Sequence, residues 1–143
     1  MFTHILVGCD GSGQAMKAVR IAAELARQFE ARLIAVNVYN PWMIAPIQEE
    51  QPLDMGLVAR YVEQVQQDIE KQTCCKAAEL GVECRFVRAL GHPVDKITQV
   101  AEREKADLIV LGSRGLGVSE AALLGSVSDG VLHHAHCPVL IVR

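Results

Sequence analysis

Asp107-Leu108-Ile109-Val110-Leu111 followed at once by Gly112-Ser113-Arg114-Gly115-Leu116-Gly117 is an apolar run of strand length that opens into a glycine-rich turn. The run does not alternate with polar residues, which is the pattern of a strand covered on both faces, and such strands belong chiefly to parallel sheets. The same form stands near the start of the chain, in Ile5-Leu6-Val7-Gly8-Cys9-Asp10-Gly11-Ser12-Gly13. Arg32-Leu33-Ile34-Ala35-Val36-Asn37-Val38-Tyr39 is a third run of nearly continuous apolarity.

Helical patterns fill the intervals. Over 15–29, Val19, Ala22, Ala23, Ala26 and Phe29 recur at three and four positions among charged neighbours, with Ser12 placed to cap the helix. Val58, Val62, Val65, Ile69 and Ala77 predict a long second helix ending near Gly81. Residues 82–87 alternate as a partly exposed strand, and Gly91-His92-Pro93 introduces a helix with Val94, Ile97 and Ala101 on one face. A fourth helix is expected over about 120–135, before a last strand at 139–142. Residues 40–56, with Pro41, Pro46, Pro52 and Trp42, form no single regular element.

Five strands alternating with four helices predict one α/β domain over 1–143. Its sheet is open, doubly wound and parallel, ordered 3-2-1-4-5, with helices on both faces, because parallel neighbours need crossover connections. Half of the residues are apolar, enough for a core without staples. The net charge is -3 and the 14 basic residues are scattered, so neither nucleic acid nor a membrane surface is an expected partner. The start of the chain does not read as a leader and no apolar run is long enough to span a bilayer, which points to the cytoplasm. Cys9, Cys74, Cys75, Cys84 and Cys137 have no metal-type spacing and read as reduced packing residues, adjacent Cys74-Cys75 being ill placed for a mutual bridge.

Ligands of such sheets bind beyond the carboxyl ends of the strands, where the winding reverses. If strands one and four are neighbours, both glycine clusters face one crevice. Glycines let backbone N–H groups approach an anion, and a following helix N-terminus favours negative charge, so the loop at 112–117 suits phosphates. The chain has neither a P-loop nor the dinucleotide fingerprint, and Asn37-Val38-Tyr39 stand where an acidic ribose ligand would be needed for a nicotinamide cofactor. Asp10 has a second use in capping its own turn. Ser126 and Ser128 have one in bonding within their helix. His133, His134, His136 and Cys137 look metal-like but straddle a helix end, where ring nitrogens can satisfy the last carbonyls, and no metal site is assigned.

Gly112, Gly115 and Gly125-Ser126 follow the spacing Gly, two residues, Gly, nine residues, Gly-Ser. With Asp10-Gly11-Ser12, Gly91-x-Pro93, Ala106 to Val110, Leu124 to Ser128 and Cys137 to Val142, this ordered set resembles the ATP-binding branch of the universal stress proteins along the whole chain. The resemblance implies that Asp10 contacts ribose and Val38 presents backbone to adenine. It further implies that Gly112, Gly115, Gly125, Ser126, Val127 and Ser128 hold the phosphates, with Leu111 lining the nucleotide. Glu120-Ala121-Ala122 depart from a stretch that is often basic in the family, so neutralisation falls to backbone N–H groups, Arg114 and Mg²⁺.

The function expected is a nucleotide-responsive regulatory or stress-resistance module with slow or no ATP hydrolysis, since the motif holds no evident general base and no catalytic residue is assigned. A nucleotide-independent dimeric scaffold, or a nucleotidyl-transfer or hydrolytic enzyme on the same fold, are the alternatives. A homodimer through the last strand is expected, because that strand would otherwise leave an apolar edge open.

Overall fold

The computed structural model describes residues 1–41, 54–114 and 124–143. The elements run β1 (His4–Gly8), α1 (Gly13–Phe29), β2 (Arg32–Tyr39), α2 (Met55–Glu79), β3 (Cys84–Leu90), α3 (Pro93–Arg103), β4 (Leu108–Gly112), α4 (Ser126–His134) and β5 (Val139–Val142). The five strands form one sheet in the order β3-β2-β1-β4-β5, and every neighbouring pair is parallel. The open doubly wound α/β sheet expected from the sequence is therefore the fold.

The unbroken apolarity of the central strands has a direct cause. Ile5 and Val7 of β1, Leu33 and Ala35 of β2, and Leu108 and Val110 of β4 point into a core shared with α1 and α2. Their neighbours Leu6, Ile34, Val36, Ile109 and Leu111 point the other way, into a second core shared with α3 and α4. Alternation across the pleat thus feeds two apolar layers, and no face of these strands is left for water. α1 lies close on the sheet because its buried face is almost all alanine: Ala15, Ala18, Ala22, Ala23 and Ala26, with Val19. The Ser12 side chain caps it, accepting the Ala15 N–H at 3.1 Å.

The amino ends of β1 and β4 are tied by one carboxylate. Asp107 accepts the Thr3 N–H at 2.8 Å, the Thr3 hydroxyl at 2.7 Å and the His4 N–H at 3.1 Å.

Three elements differ most in their bounds from the sequence reading. β3 starts at Cys84 and continues to Leu90, since its pairing with β2 runs on through Val38↔Ala89 and Tyr39↔Leu90. α2 begins at Met55, where Asp54 accepts the Gly56 and Leu57 N–H groups. α4 begins at Ser126 instead of near 120, because Gly125 holds an extended conformation (φ -67°, ψ 160°) and serves as the N-cap.

Candidate functional site

β1 and β4 are hydrogen-bonded neighbours, with Ile5↔Leu108, Leu6↔Ile109 and Val7↔Val110 in register. From β1 the chain winds outward through α1 to β2, and from β4 through α4 to β5, on opposite faces of the sheet. The segments that follow β1 and β4 accordingly leave the sheet side by side, which is the crevice-forming arrangement of open α/β sheets.

On the β1 side, Asp10 Oδ1 accepts the Ser12 N–H at 2.9 Å, closing a tight turn over Gly11. Gly11 has φ +85°, a left-handed conformation that a side chain would strain, and an added Cβ would also meet Ile69 Cγ1 at 3.3 Å.

On the β4 side the loop is braced from three directions. Ser113, 2% exposed, donates its N–H to the Val142 carbonyl at 2.7 Å and accepts the Gly125 N–H at 2.6 Å. Its hydroxyl donates to Gln14 Oε1 at 2.8 Å, and the same oxygen accepts the Arg114 N–H at 2.9 Å. The Ser128 hydroxyl donates to the Gly112 carbonyl at 2.6 Å. Gly112 leaves space for the backbone of Gln14, which a Cβ would approach to 3.1 Å.

These bonds bring the first turn of α4 against residues 112–114. Its leading N–H groups, on Ser126, Val127 and Ser128, have no acceptor within the helix and carry the positive end of the helix dipole. Arg114 Nε is buried and has no hydrogen-bond partner among the described residues. The result is a cluster of donors without a matching acceptor among the described residues, a fit for an anion such as a phosphate.

The structure thus brings together Gly112, Gly125, Ser126, Val127 and Ser128 of the expected set, with Asp10 in the turn after the neighbouring strand β1. Two of those groups are committed within the protein: the Gly125 N–H to Ser113 and the Ser128 hydroxyl to Gly112. Val38 lies at the carboxyl end of β2, paired with Ala89. Leu111 is 4% exposed, its side chain lying in the second core and packing over Gly8. Gly115, Gly117, Trp42 and Glu120-Ala121-Ala122 lie outside the described residues. His134 Nδ1 meets the Gly130 carbonyl at 2.8 Å, and His133 lies 3.5 Å from Asp129 one turn back on α4.

Sequence reasoning missed two residues. Gln14, which braces the loop, belongs to no motif, and its partners are remote in sequence. Asn37 stands in the sequence only as the absence of an acid, although an amide inside an apolar strand is itself a signal. Its Nδ2 donates to the Cys9 carbonyl at 2.8 Å, and its Oδ1 accepts Gln66 Nε2 at 3.0 Å. Gln66 Nε2 also reaches the Ala89 carbonyl at 3.1 Å, so α2 is latched to the carboxyl ends of β1, β2 and β3.

Among the described residues no helix is long and apolar enough to cross a membrane. The model of the universal stress protein family matches residues 1–143. A universal stress protein of Thermus aquaticus is 39% identical over 144 residues, covering all of both chains. Universal stress protein MJ0531 of Methanocaldococcus jannaschii is 32% identical over 143 residues, covering this chain fully and 83% of its own length. Among solved structures, a universal stress protein in complex with cAMP is similar at 30% identity and a TM-score of 0.73, over 99% of this chain and 97% of that one. The protein MJ0577 is similar at 25% identity and a TM-score of 0.84, over 99% and 96%. The family model and these full-length relatives agree with the fold and the ordered motifs: the chain belongs to the universal stress protein family.

Proposed function

We propose that this chain binds an adenine nucleotide, ATP together with Mg²⁺, in the crevice between the loops after β1 and β4, and that it works as a nucleotide-responsive regulatory module. The observation that carries the reading is the set of donors around residues 112–114: the first turn of α4 and the buried Nε of Arg114, which lacks a partner among the described residues. A phosphate chain supplies the missing acceptors. The similar universal stress protein in complex with cAMP supports an adenine nucleotide as the ligand class.

In this reading the N–H groups of Ser126, Val127 and Ser128 face the phosphates, with Gly112, Gly115 and Gly125 allowing close approach. Asp10 takes the ribose, the backbone of Val38 takes adenine, and Leu111 backs the pocket from the core. Mg²⁺ bound to phosphate oxygens offsets the charge that Arg114 alone does not balance. Turnover is slow or nil, because the described part of the site places no general base for an attacking water. A homodimer through β5 fits the sheet, since β5 is an edge strand and its Leu140 is exposed.

The test is thermal unfolding with and without MgATP. A ligand at a hundredfold its dissociation constant stabilises by about 2.7 kcal/mol. A rise in Tm with MgATP, smaller without magnesium, is expected. No shift at millimolar nucleotide overturns the proposal, and steady turnover like that of ordinary ATPases replaces it with the enzymatic reading.

A further inference from the structure

All five cysteines are free thiols, and three of them collect in the layer between α2 and the sheet. Cys74 lies toward the end of α2, Cys84 opens β3, and Cys9 follows β1. Cys74 Sγ lies 3.8 Å from the Cys84 carbonyl oxygen, so the Cys74 thiol reaches the residue that bears the second thiol, whose own Sγ lies 3.7 Å from the Arg85 carbonyl oxygen. Cys9 is engaged separately, its Sγ 3.2 Å from the hydroxyl of the fully buried Thr73. Cys74 and Cys84 are both half-buried, so small oxidants have access to the pair, while exposed Cys75 is its neighbour on the helix.

A thiol packed against a second cysteine residue differs chemically from a lone cysteine. Once one sulfur is oxidised, the other is in place to resolve it before further oxidation. We propose that Cys74 and Cys84 form a reversible disulfide that staples α2 to β3, with a hydroperoxide as the oxidant. The Cys74 thiolate attacks the peroxide: an S–O bond forms, the O–O bond breaks, and the departing oxygen leaves as alkoxide or hydroxide and takes up a proton. The Cys84 sulfur then attacks the sulfenic sulfur of Cys74. The S–S bond forms, the S–O bond breaks, and the hydroxyl leaves as water with the Cys84 proton. Two thiols are oxidised by two electrons and one peroxide is reduced.

The surroundings assign these roles. Burial raises the Cys74 thiol, and the nearby Cys84 thiol works against that rise, while Glu70 and Cys75 on the same helix add to it. Glu70 is itself paired with Arg88 of β3. Burial pushes Cys84 up to about 12, with Cys74 and Cys9 adding to the rise and the Ala35 backbone opposing it. Cys74 therefore holds the larger thiolate fraction and attacks first, and Cys84 resolves. Because both thiols are raised, closure is slow at neutral pH and quickens as pH rises. The staple holds the far end of the helix whose Gln66 is latched to Asn37 and Ala89.

Treatment of the folded full-length chain with hydrogen peroxide, followed by alkylation and non-reducing peptide mapping, tests the inference without reference to nucleotide. The expected product is a Cys74–Cys84 linked peptide pair, an intact mass lower by two hydrogens, and a higher Tm, all reversed by dithiothreitol. The link survives in Cys75→Ser and is lost in Cys74→Ser and Cys84→Ser. Oxidation confined to Cys75 or Cys137, with Cys74 and Cys84 still open to alkylation after denaturation, overturns it. The map of the unsubstituted protein decides the matter even if Cys84→Ser fails to fold.

Discussion

The Gln14 side-chain oxygen and the Ser113 hydroxyl meet at 2.8 Å although 99 positions separate them in the chain, and this bond joins the two loops of the crevice. The same oxygen holds the Arg114 N–H. Gln14→Leu removes the shared acceptor and leaves the buried Ser113 hydroxyl unsatisfied, at a cost of about 1–3 kcal/mol in denaturant unfolding. Nucleotide affinity should fall with it, because the loop loses its brace. Gln14→Glu keeps both acceptor bonds and should recover most of the stability.

Gly112 and Gly13 give an opposed pair. A Cβ at Gly112 would come within 3.1–3.2 Å of Gln14 backbone atoms, whereas one at Gly13 would meet nothing within 4 Å. Gly112→Ala is expected to destabilise by about 1–3 kcal/mol through overpacking. Gly13→Ala, at the start of α1, should be neutral or stabilise by up to about 1 kcal/mol. Thermal melts of the two variants check both signs.

Asn37→Leu should cost about 1–3 kcal/mol, since it takes the Asn37 donor from the Cys9 carbonyl in a buried layer and leaves Gln66 Nε2 only its backbone acceptors. A double variant with Gln66→Leu should lose less than the sum of the two single losses, because both remove one shared network. A double-mutant cycle on unfolding free energies measures that difference.

Asp107 gives a pH dependence of definite sign. Burial pulls its carboxyl up, but the Thr3 hydroxyl and the Thr3 and His4 N–H groups outweigh burial and hold it below the ordinary carboxylate range. A carboxylate lowered in the folded state contributes stability that is full above its unfolded pKa of about 3.9 and is lost as pH falls through the folded pKa. Asp107→Asn should therefore lose about 1 kcal/mol at neutral pH, a low figure because the site is partly solvated. The gap to the unsubstituted protein should close in acid, as urea unfolding between pH 7 and pH 3 would show.

The sequence by itself determined the architecture and pointed to the end of the sheet where the proposed site lies. Ile5-Leu6-Val7 and Leu108 to Leu111 are apolar at every position because alternate side chains feed different cores, a requirement each strand carries locally. The Gly112, Gly115, Gly125-Ser126 spacing was legible for the same reason: it is a property of one short segment. Only the tertiary structure decided that Gln14 braces the loop, that Asn37 and Gln66 latch α2 to three strands, and that Cys74 meets Cys84 instead of its neighbour Cys75. Those contacts depend on strand order and helix placement, which bring together side chains remote in sequence or facing across a helix and a sheet, and no local periodicity encodes such a meeting.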